Sequence, residues 1–285
     1  MNFPIASVTK TFTAALCLEA DVRDNLDVPF REVLPGFSLS NPEAARRMTP
    51  RDALCHFSGL EPHTAAWVEN PLSRREFMIR CLPGMEVAAD WRSRHRYSNL
   101  MYAVLGVWLE TLTGQSWEAL IDSRIKAPLD LKSLHHLEPG WESACPPPLA
   151  FDGDTCKRIA PFFSKKHHLI APASELRMSV RDMARWGQHH LSLPPDDERW
   201  RPHSVVSDTR PFPEFGPLHY GLGWRLDTVN GRRRVWHTGQ CSGYTTLLSL
   251  YPEDGKGLAA ATNCSASTEM LHGLDLEFLH RNQTL

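Results

Sequence analysis

Ser7 and Lys10 stand at the two ends of Ser7-Val8-Thr9-Lys10. On a helix that spacing puts both side chains on one face, so a neutral lysine amine can take the proton of a serine nucleophile. The lysine must first lose its own charge, and burial or a neighbouring cation drives its pKa in that direction. Alone the pattern carries little, because Ser123-Arg124-Ile125-Lys126 repeats it. That second copy falls on the polar side of a helix whose apolar face is Trp117, Leu120, Ile121 and Ile125, so it is expected to face water. Ser7 instead heads an apolar helix.

Two further groups follow in order, Tyr97-Ser98-Asn99 and His237-Thr238-Gly239. A phenol can relay a proton between nucleophile and leaving group, and an asparagine amide can donate to a substrate carbonyl. A His-Thr-Gly strand offers an imidazole and a hydroxyl, with a glycine that lets a substrate approach the backbone. Plainer roles exist: Asn99 could cap the helix that follows, and Tyr97 could be a core phenol. The pairs His135-His136, His167-His168 and His189-His190 raise the question of a metal. Adjacent side chains on a helix diverge, no HExxH occurs and acids are not spaced around them, so no metal and no other cofactor is expected.

The elements that must hold these residues are legible in outline. Val8, Phe12, Ala15 and Leu16 predict a helix after Ser7 with one buried face. Asp24 to Pro50 reads as loop with short helical pieces. Thr49 caps a helix begun by Pro50 and stopped at Ser58-Gly59. Asn99 to Leu112 is a strong helix closed by Gly114, Ser116 caps another over Trp117 to Lys126, and Pro139 to Pro172 is irregular, with Asp152-Gly153-Asp154 as a loop mark. Ser179 to Leu191 is helical again. Tyr220 to Leu226, Arg233 to His237, Tyr244 to Tyr251 and Gly257 to Thr262 then read as successive strands, and a helix from about Ser267 to His280 closes the chain. The fold class expected is α+β, an antiparallel sheet flanked by helices with a helical subdomain. A single domain over 1–285 would carry its sheet in about 1–25 and 165–285, with about 26–164 mainly helical.

Bulk properties narrow the class. The 285 residues are 42% hydrophobic and 22% charged with a net charge of −2, which fits a globular protein and offers no global field for nucleic acid or an anionic membrane. The longest apolar run, Met101 to Leu109, is too short to span a bilayer. Seven cysteines without a CxxC spacing argue against a disulfide framework or a zinc ribbon. With no basic-then-apolar leader in its first residues, the sequence as it stands reads as cytoplasmic, and oligomeric state is left open.

The ordered set SxxK, YxN and HTG resembles the serine β-lactamase-related superfamily, in the branch that holds class C β-lactamases, D-Ala-D-Ala carboxypeptidases and β-lactamase-like esterases. The likeness runs along nearly the whole chain. It includes Thr49-Pro50-Arg51-Asp52-Ala53-Leu54-Cys55-His56-Phe57-Ser58-Gly59-Leu60, Pro83-Gly84, Tyr102-Ala103-Val104-Leu105-Gly106 and Tyr220-Gly221-Leu222-Gly223-Trp224. The resemblance implies a β-lactamase/transpeptidase-like fold and an acyl-enzyme on Ser7. Lys10 and Tyr97 would share the base and acid work, and Asn99, His237, Thr238 and Gly239 would bind substrate. The backbone N–H groups of Ser7 and Gln240 would form the oxyanion hole. The partner is then a small ester, amide or peptide; the alternative is a truncated, non-catalytic relative with a binding or assembly role. His237 stands where β-lactamases carry lysine. It would offer a weaker, pH-dependent positive charge, which tilts the expectation toward esters over β-lactams.

Two departures from the family pattern bear on this. Ala171-Pro172-Ala173-Ser174 stands where many relatives have Pro-Ala-Gly-Gly. Ser7 also lies far nearer the first residue than in relatives, whose preceding strands pair with the final strand. Gly257 to Thr262 is therefore expected to be an unpaired apolar edge, with no strand before Ser7, unless the true start lies upstream.

Overall fold

The computed structural model describes all residues except 69, 152–153, 161–168, 208–212, 266–267 and 283–285. The His167-His168 pair and the Asp152-Gly153 turn lie outside the described residues.

The chain opens with strand β1 (Phe3–Pro4), a 3-10 turn over Ala6–Val8 and helix α1 (Thr9–Cys17). A short strand therefore does precede Ser7. α1 is buried on nearly every side, not on one face: Thr9, Lys10, Thr11 and Thr13 are inside together with Phe12 and Leu16. The threonines are accommodated because each hydroxyl has a partner. Trp186 Nε1 donates to Thr11 Oγ1 at 2.9 Å, Trp117 Nε1 to Thr13 Oγ1 at 3.0 Å and the Leu176 amide to Thr9 Oγ1 at 3.3 Å. Buried hydroxyls that are hydrogen-bonded escape most of the desolvation penalty.

Helices α2 (Phe30–Val33) and α3 (Pro42–Arg47) are the short pieces of the proline-rich stretch. α4 (Pro50–Leu54) starts with a full capping box, the Thr49 hydroxyl on the Asp52 amide and the Asp52 carboxylate on the Thr49 amide. After α5 (Thr64–Trp67) and α6 (Arg74–Arg80) comes α7 (Asn99–Thr113), closed by Gly114 in the left-handed region at φ +71°. α8 (Trp117–Leu120) continues as a π-helical turn over Ile121–Lys126. Ser123 lies exposed on that turn, its Oγ donating to the Ala119 carbonyl, so the second SxxK does face water.

Strands β2 (His135–His136), β3 (Leu149–Phe151) and β4 (Cys156–Arg158) precede helix α9 (Ala171–Ser174), β5 (Leu176–Met178) and α10 (Val180–Leu191). β1, β5 and β2 form a small antiparallel sheet, and Ile5 extends it by donating to the Leu176 carbonyl at 2.9 Å. This sheet sets the approach of the chain to Ser7.

The main sheet comprises β6 (Ser204–Ser207), β7 (Leu218–Tyr220), β8 (Arg225–Val229), β9 (Arg232–Cys241), β10 (Tyr244–Tyr251) and β11 (Lys256–Thr262), an antiparallel meander in sequence order. The expected single strand over Tyr220–Leu226 is two strands joined by a turn. Gly223 makes that turn at φ +81°, and a Cβ there would stand 2.4 Å from Ala14 Cβ, so only glycine lets the turn sit on α1. Helix α11 (Thr268–Arg281) covers the far face. β11 ends the sheet, and among the described residues no strand pairs with its outer edge. Its apolar side chains are half-buried, Ala259 packing against the main core while Leu258 and Ala260 pack beside Leu271 of α11.

Under α11 lies a buried ion network. Arg234, fully inside, donates to both Asp227 oxygens and to Asp275, whose carboxylate also accepts from Ser249 and Tyr251. Among the described residues no helix is long and apolar enough to cross a membrane.

Candidate active site

The turn preceding α1 presents Ser7 half-buried, next to Ala6 in an unusual left-handed conformation at φ +43°. One helical turn on, the Lys10 amine is completely buried. Its Nζ stands 3.1 Å from Ser7 Oγ, 2.7 Å from Asn99 Oδ1 and 2.9 Å from the Ala173 carbonyl. The last two oxygens can only accept. A neutral amine has two N–H groups for them, which leaves its lone pair directed at the Ser7 hydroxyl. Burial drives the Lys10 pKa well below the ordinary lysine value, and the positive charge of Arg225 adds to that. Geometry and the lowered pKa both favour the neutral amine that a base requires.

Asn99 does not serve as a cap. Ser98 occupies the N-cap position of α7, and the Asn99 side chain is committed to Lys10. Tyr97 is half-buried, its phenol hydrogen-bonded to the Ser7 hydroxyl and its ring 4.7 Å from Lys10 Nζ. Desolvation pushes its pKa up to about 12, so the phenol keeps its proton at neutral pH. Ser7, Lys10, Tyr97 and Asn99 are brought into one cluster. α9, the segment that departs from Pro-Ala-Gly-Gly, supplies a backbone carbonyl to Lys10 through Ala173 and another to Thr13 through Pro172.

β9 carries the third motif. Gly239 is needed where it stands, since a Cβ would meet the Ile5 carbonyl at 2.0 Å and Thr246 Oγ1 at 2.7 Å. The room its missing side chain leaves is filled by the chain's own Ile5, not left for substrate. That contact seats the segment leading to Ser7 against the strand leading to Gln240, which is exposed. Thr238 is half-buried.

His237 differs from expectation. It is fully buried, its Nδ1 lies 2.7 Å from the Thr238 carbonyl and its Nε2 lies 2.8 Å from the Tyr220 hydroxyl. A carbonyl only accepts, so Nδ1 carries the proton and Nε2 accepts from Tyr220. Burial, then Arg225 and Lys10, hold the His237 pKa well below the usual histidine value. His237 is a neutral, fully engaged ring and offers no positive charge to a substrate.

The cation nearby is Arg225, which the sequence reading missed. It opens β8 opposite Trp236, the last residue of β9 paired on that side, so His237 onward has an open backbone edge beside it. Its guanidinium lies 5.1 Å from the Trp236 ring centre, and its charge depresses the pKa of Lys10, His95 and His237. No carboxylate pairs with it among the described residues, and its buried Nε has no hydrogen-bond partner. Only the strand register reveals this arginine; its position beside Trp224 in the sequence carries no signal. His56 and His95 were also missed. Both rings pack on Tyr220, and His56 lies 4.3 Å from the Tyr97 ring. Of the histidine pairs, His135 and His136 form β2, and His190 is buried with Nδ1 on the Trp186 carbonyl.

The antiparallel sheet with its helical layer is the β-lactamase/transpeptidase-like fold. A family model described as Beta-lactamase matches residues 2–280, and the chain belongs to that family. It is 27% identical over 286 residues to the "Unguisins hydrolase ungD'" of Aspergillus campestris, covering 93% of this chain and 53% of that protein. It is also 27% identical over 294 residues to "Penicillin-binding protein 4" of Amycolatopsis lactamdurans, covering 97% of this chain and 76% of the relative. The structure of the octameric penicillin-binding protein homologue from Pyrococcus abyssi superimposes with a TM-score of 0.79 at 22% identity, over 98% of this chain and 66% of that one. The chain thus spans about half the length of the fungal hydrolase it matches.

Proposed function

We propose that this chain is a serine hydrolase that forms an acyl-enzyme on Ser7 from a small ester or amide. The observation that carries the reading is the Lys10 amine, buried, with two carbonyl oxygens taking its N–H groups and its lone pair left for Ser7. Ser7 Oγ attacks the substrate carbonyl carbon while its proton passes to Lys10 Nζ. The amides of Ser7 and Gln240 hold the developing oxyanion. Tyr97 gives its proton to the leaving group and regains one from Lys10, and water then cleaves the acyl ester to release the acid and restore Ser7. Asn99 fixes the amine, and Thr238 borders the acyl group on the β9 side.

The unpaired Arg225 favours substrates that carry a negative charge beyond the scissile bond, as a free carboxylate would. A neutral His237 in place of a lysine removes the cation from the strand itself. The neutral His237 supports esters or peptide amides over β-lactams. The relatives, named as a hydrolase and a penicillin-binding protein, are compatible with this chemistry.

Fluorophosphonate labelling followed by peptide mapping tests the reading. The adduct is expected on Ser7 and lost in Ser7→Ala. An adduct on Ser123, or no adduct and no ester turnover from folded protein, would overturn it in favour of a non-catalytic relative that keeps the cleft for binding.

A further inference from the structure

His56 grips Tyr97 from both sides along the chain. Its backbone carbonyl accepts from the Arg96 amide at 2.9 Å, and its ring Nδ1 accepts from the Ser98 amide at 3.2 Å. The same ring packs 4.3 Å from the Tyr97 ring. One residue therefore fixes the peptide groups before and after the phenol, and the ring of the phenol itself. His56 reaches both amides because its own backbone is left-handed, with φ at +60°, which turns carbonyl and side chain toward the same strand of chain. That conformation is uncommon for a residue with a Cβ.

The proton of the ring is also fixed. A backbone N–H only donates, so Nδ1 is the unprotonated nitrogen and the neutral ring carries its proton on Nε2. His56 is fully buried, enclosed by Tyr97, Tyr102, Tyr220 and His95, and Nε2 has no hydrogen-bond partner among the described residues. Burial above all, with the permanent charge of Arg225 adding to it, holds its pKa well below the usual histidine value. A protonated ring would lose its only hydrogen bond and set a cation beside Lys10.

We propose that His56 is a positioning residue for Tyr97, a neutral imidazole acceptor that holds the phenol at the distance from Ser7 that proton transfer needs. The proposal rests on the reading of Tyr97 as proton donor to the leaving group. A phenol displaced by a fraction of an ångström transfers its proton less well while substrate binding is little affected, so the loss falls on kcat.

His56→Asn and His56→Gly make the test, because both tolerate a positive φ but only asparagine supplies an acceptor at the reach of Nδ1. With nitrophenyl butyrate, His56→Gly is expected to lower kcat about tenfold or more with KM changed less than about threefold. His56→Asn should recover most of that loss. In a Tyr97→Phe background the His56→Gly loss should shrink to less than about twofold, since the residue acted on is gone. An undiminished loss in that background, or a kcat within about twofold of the parent for folded His56→Gly, would overturn the proposal. A readout independent of turnover separates it from the proposed activity. Nitrogen NMR of the parent protein should show the His56 ring neutral, with the proton on Nε2, from pH 6 to 8, and the Ser98 amide protected from exchange. A ring protonated on Nδ1, or a freely exchanging Ser98 amide, would sink it even if the enzyme is active. If the parent turns over no ester, the hydrolase reading fails while the NMR result still decides the clamp.

Discussion

The Tyr220 hydroxyl donates to His237 Nε2 over 2.8 Å and so closes the only nitrogen of that ring not already spent on the Thr238 carbonyl. The strand position that would otherwise present a cation is sealed from below. Hydrolysis of nitrophenyl butyrate is therefore expected to exceed hydrolysis of a chromogenic cephalosporin at neutral pH, and Tyr220→Phe should not reverse the order. A parent protein that prefers the cephalosporin would show that His237 is not the neutral ring its contacts describe.

The base limb of the reaction should report Arg225. Lys10 acts when neutral, so the rate rises with pH through its folded pKa, which burial and then Arg225 hold below the usual lysine value. Arg225→Gln removes the nearby positive charge and lets that pKa climb, so the rising limb of kcat/KM is expected to move to higher pH. The same variant should lose preference for esters bearing a free carboxylate. A limb that stays in place, measured with a neutral ester, would show that Arg225 does not act on Lys10.

Stability should fall steeply on mild acidification. His56, His190 and His237 are fully buried with pKa values held well below normal, and burial puts His95 at about 4 and His272 at about 3. In the unfolded chain these rings take up protons below about pH 6.5, while in the fold they stay neutral. Their stabilising contribution is complete above pH 6.5 and is lost as pH drops toward the folded values. Each group costs up to about 1.4 kcal/mol per pH unit in that window. Urea midpoints at pH 7.5 and 5.5 measure it, and equal midpoints would contradict the burial of these rings as neutral groups.

Removing one member of the network under α11 should be severe. Asp275→Ala strips Arg234 of one carboxylate and leaves Ser249 and Tyr251 without their shared acceptor. A loss of about 3–5 kcal/mol is expected, read as a lower denaturant midpoint. Asp254→Ala, which removes the exposed partner of Arg232, should cost less than about 1 kcal/mol.

Gly239→Ala tests the seat of Ser7. The new methyl would press on the Ile5 carbonyl and push the segment leading to Ser7 off the strand. A destabilisation of about 1–3 kcal/mol is expected together with slower fluorophosphonate labelling. Unchanged labelling would mean that this contact does not position Ser7.

Much of the site was legible because its residues sit next to strong local signals. Asn99 is the first residue of α7, Ser7 precedes an apolar helix, and Gly239 ends an apolar strand run. What was illegible depends on pairing between distant segments. Arg225 acquires its place from register opposite Trp236, and β6 lacks an apolar run that would announce a strand. β1 is two residues long and exists only because β5 lies beside it. The burial of α1 on nearly every side was hidden by its threonines, whose partners, two indoles and a backbone amide, lie more than a hundred residues away. The charge expected of His237 failed for the same reason: sequence shows the ring but not the tyrosine hydroxyl beneath it.

Every ladder of the main sheet joins strands that are neighbours in sequence, whereas the hydrogen bond from Thr246 to the Ile5 carbonyl closes a separation of 241 residues and the bond from Lys10 to Asn99 one of 89. Local pairings form quickly and long closures late, because the entropy of joining distant segments must be met before their contacts exist. The meander is therefore expected to assemble while the segment bearing Ser7 is still adrift, with Ser7 docking onto a finished strand. During refolding, regain of covalent labelling at Ser7 should trail the recovery of tryptophan fluorescence, making Ser7 a timer for a late event in the folding of the chain.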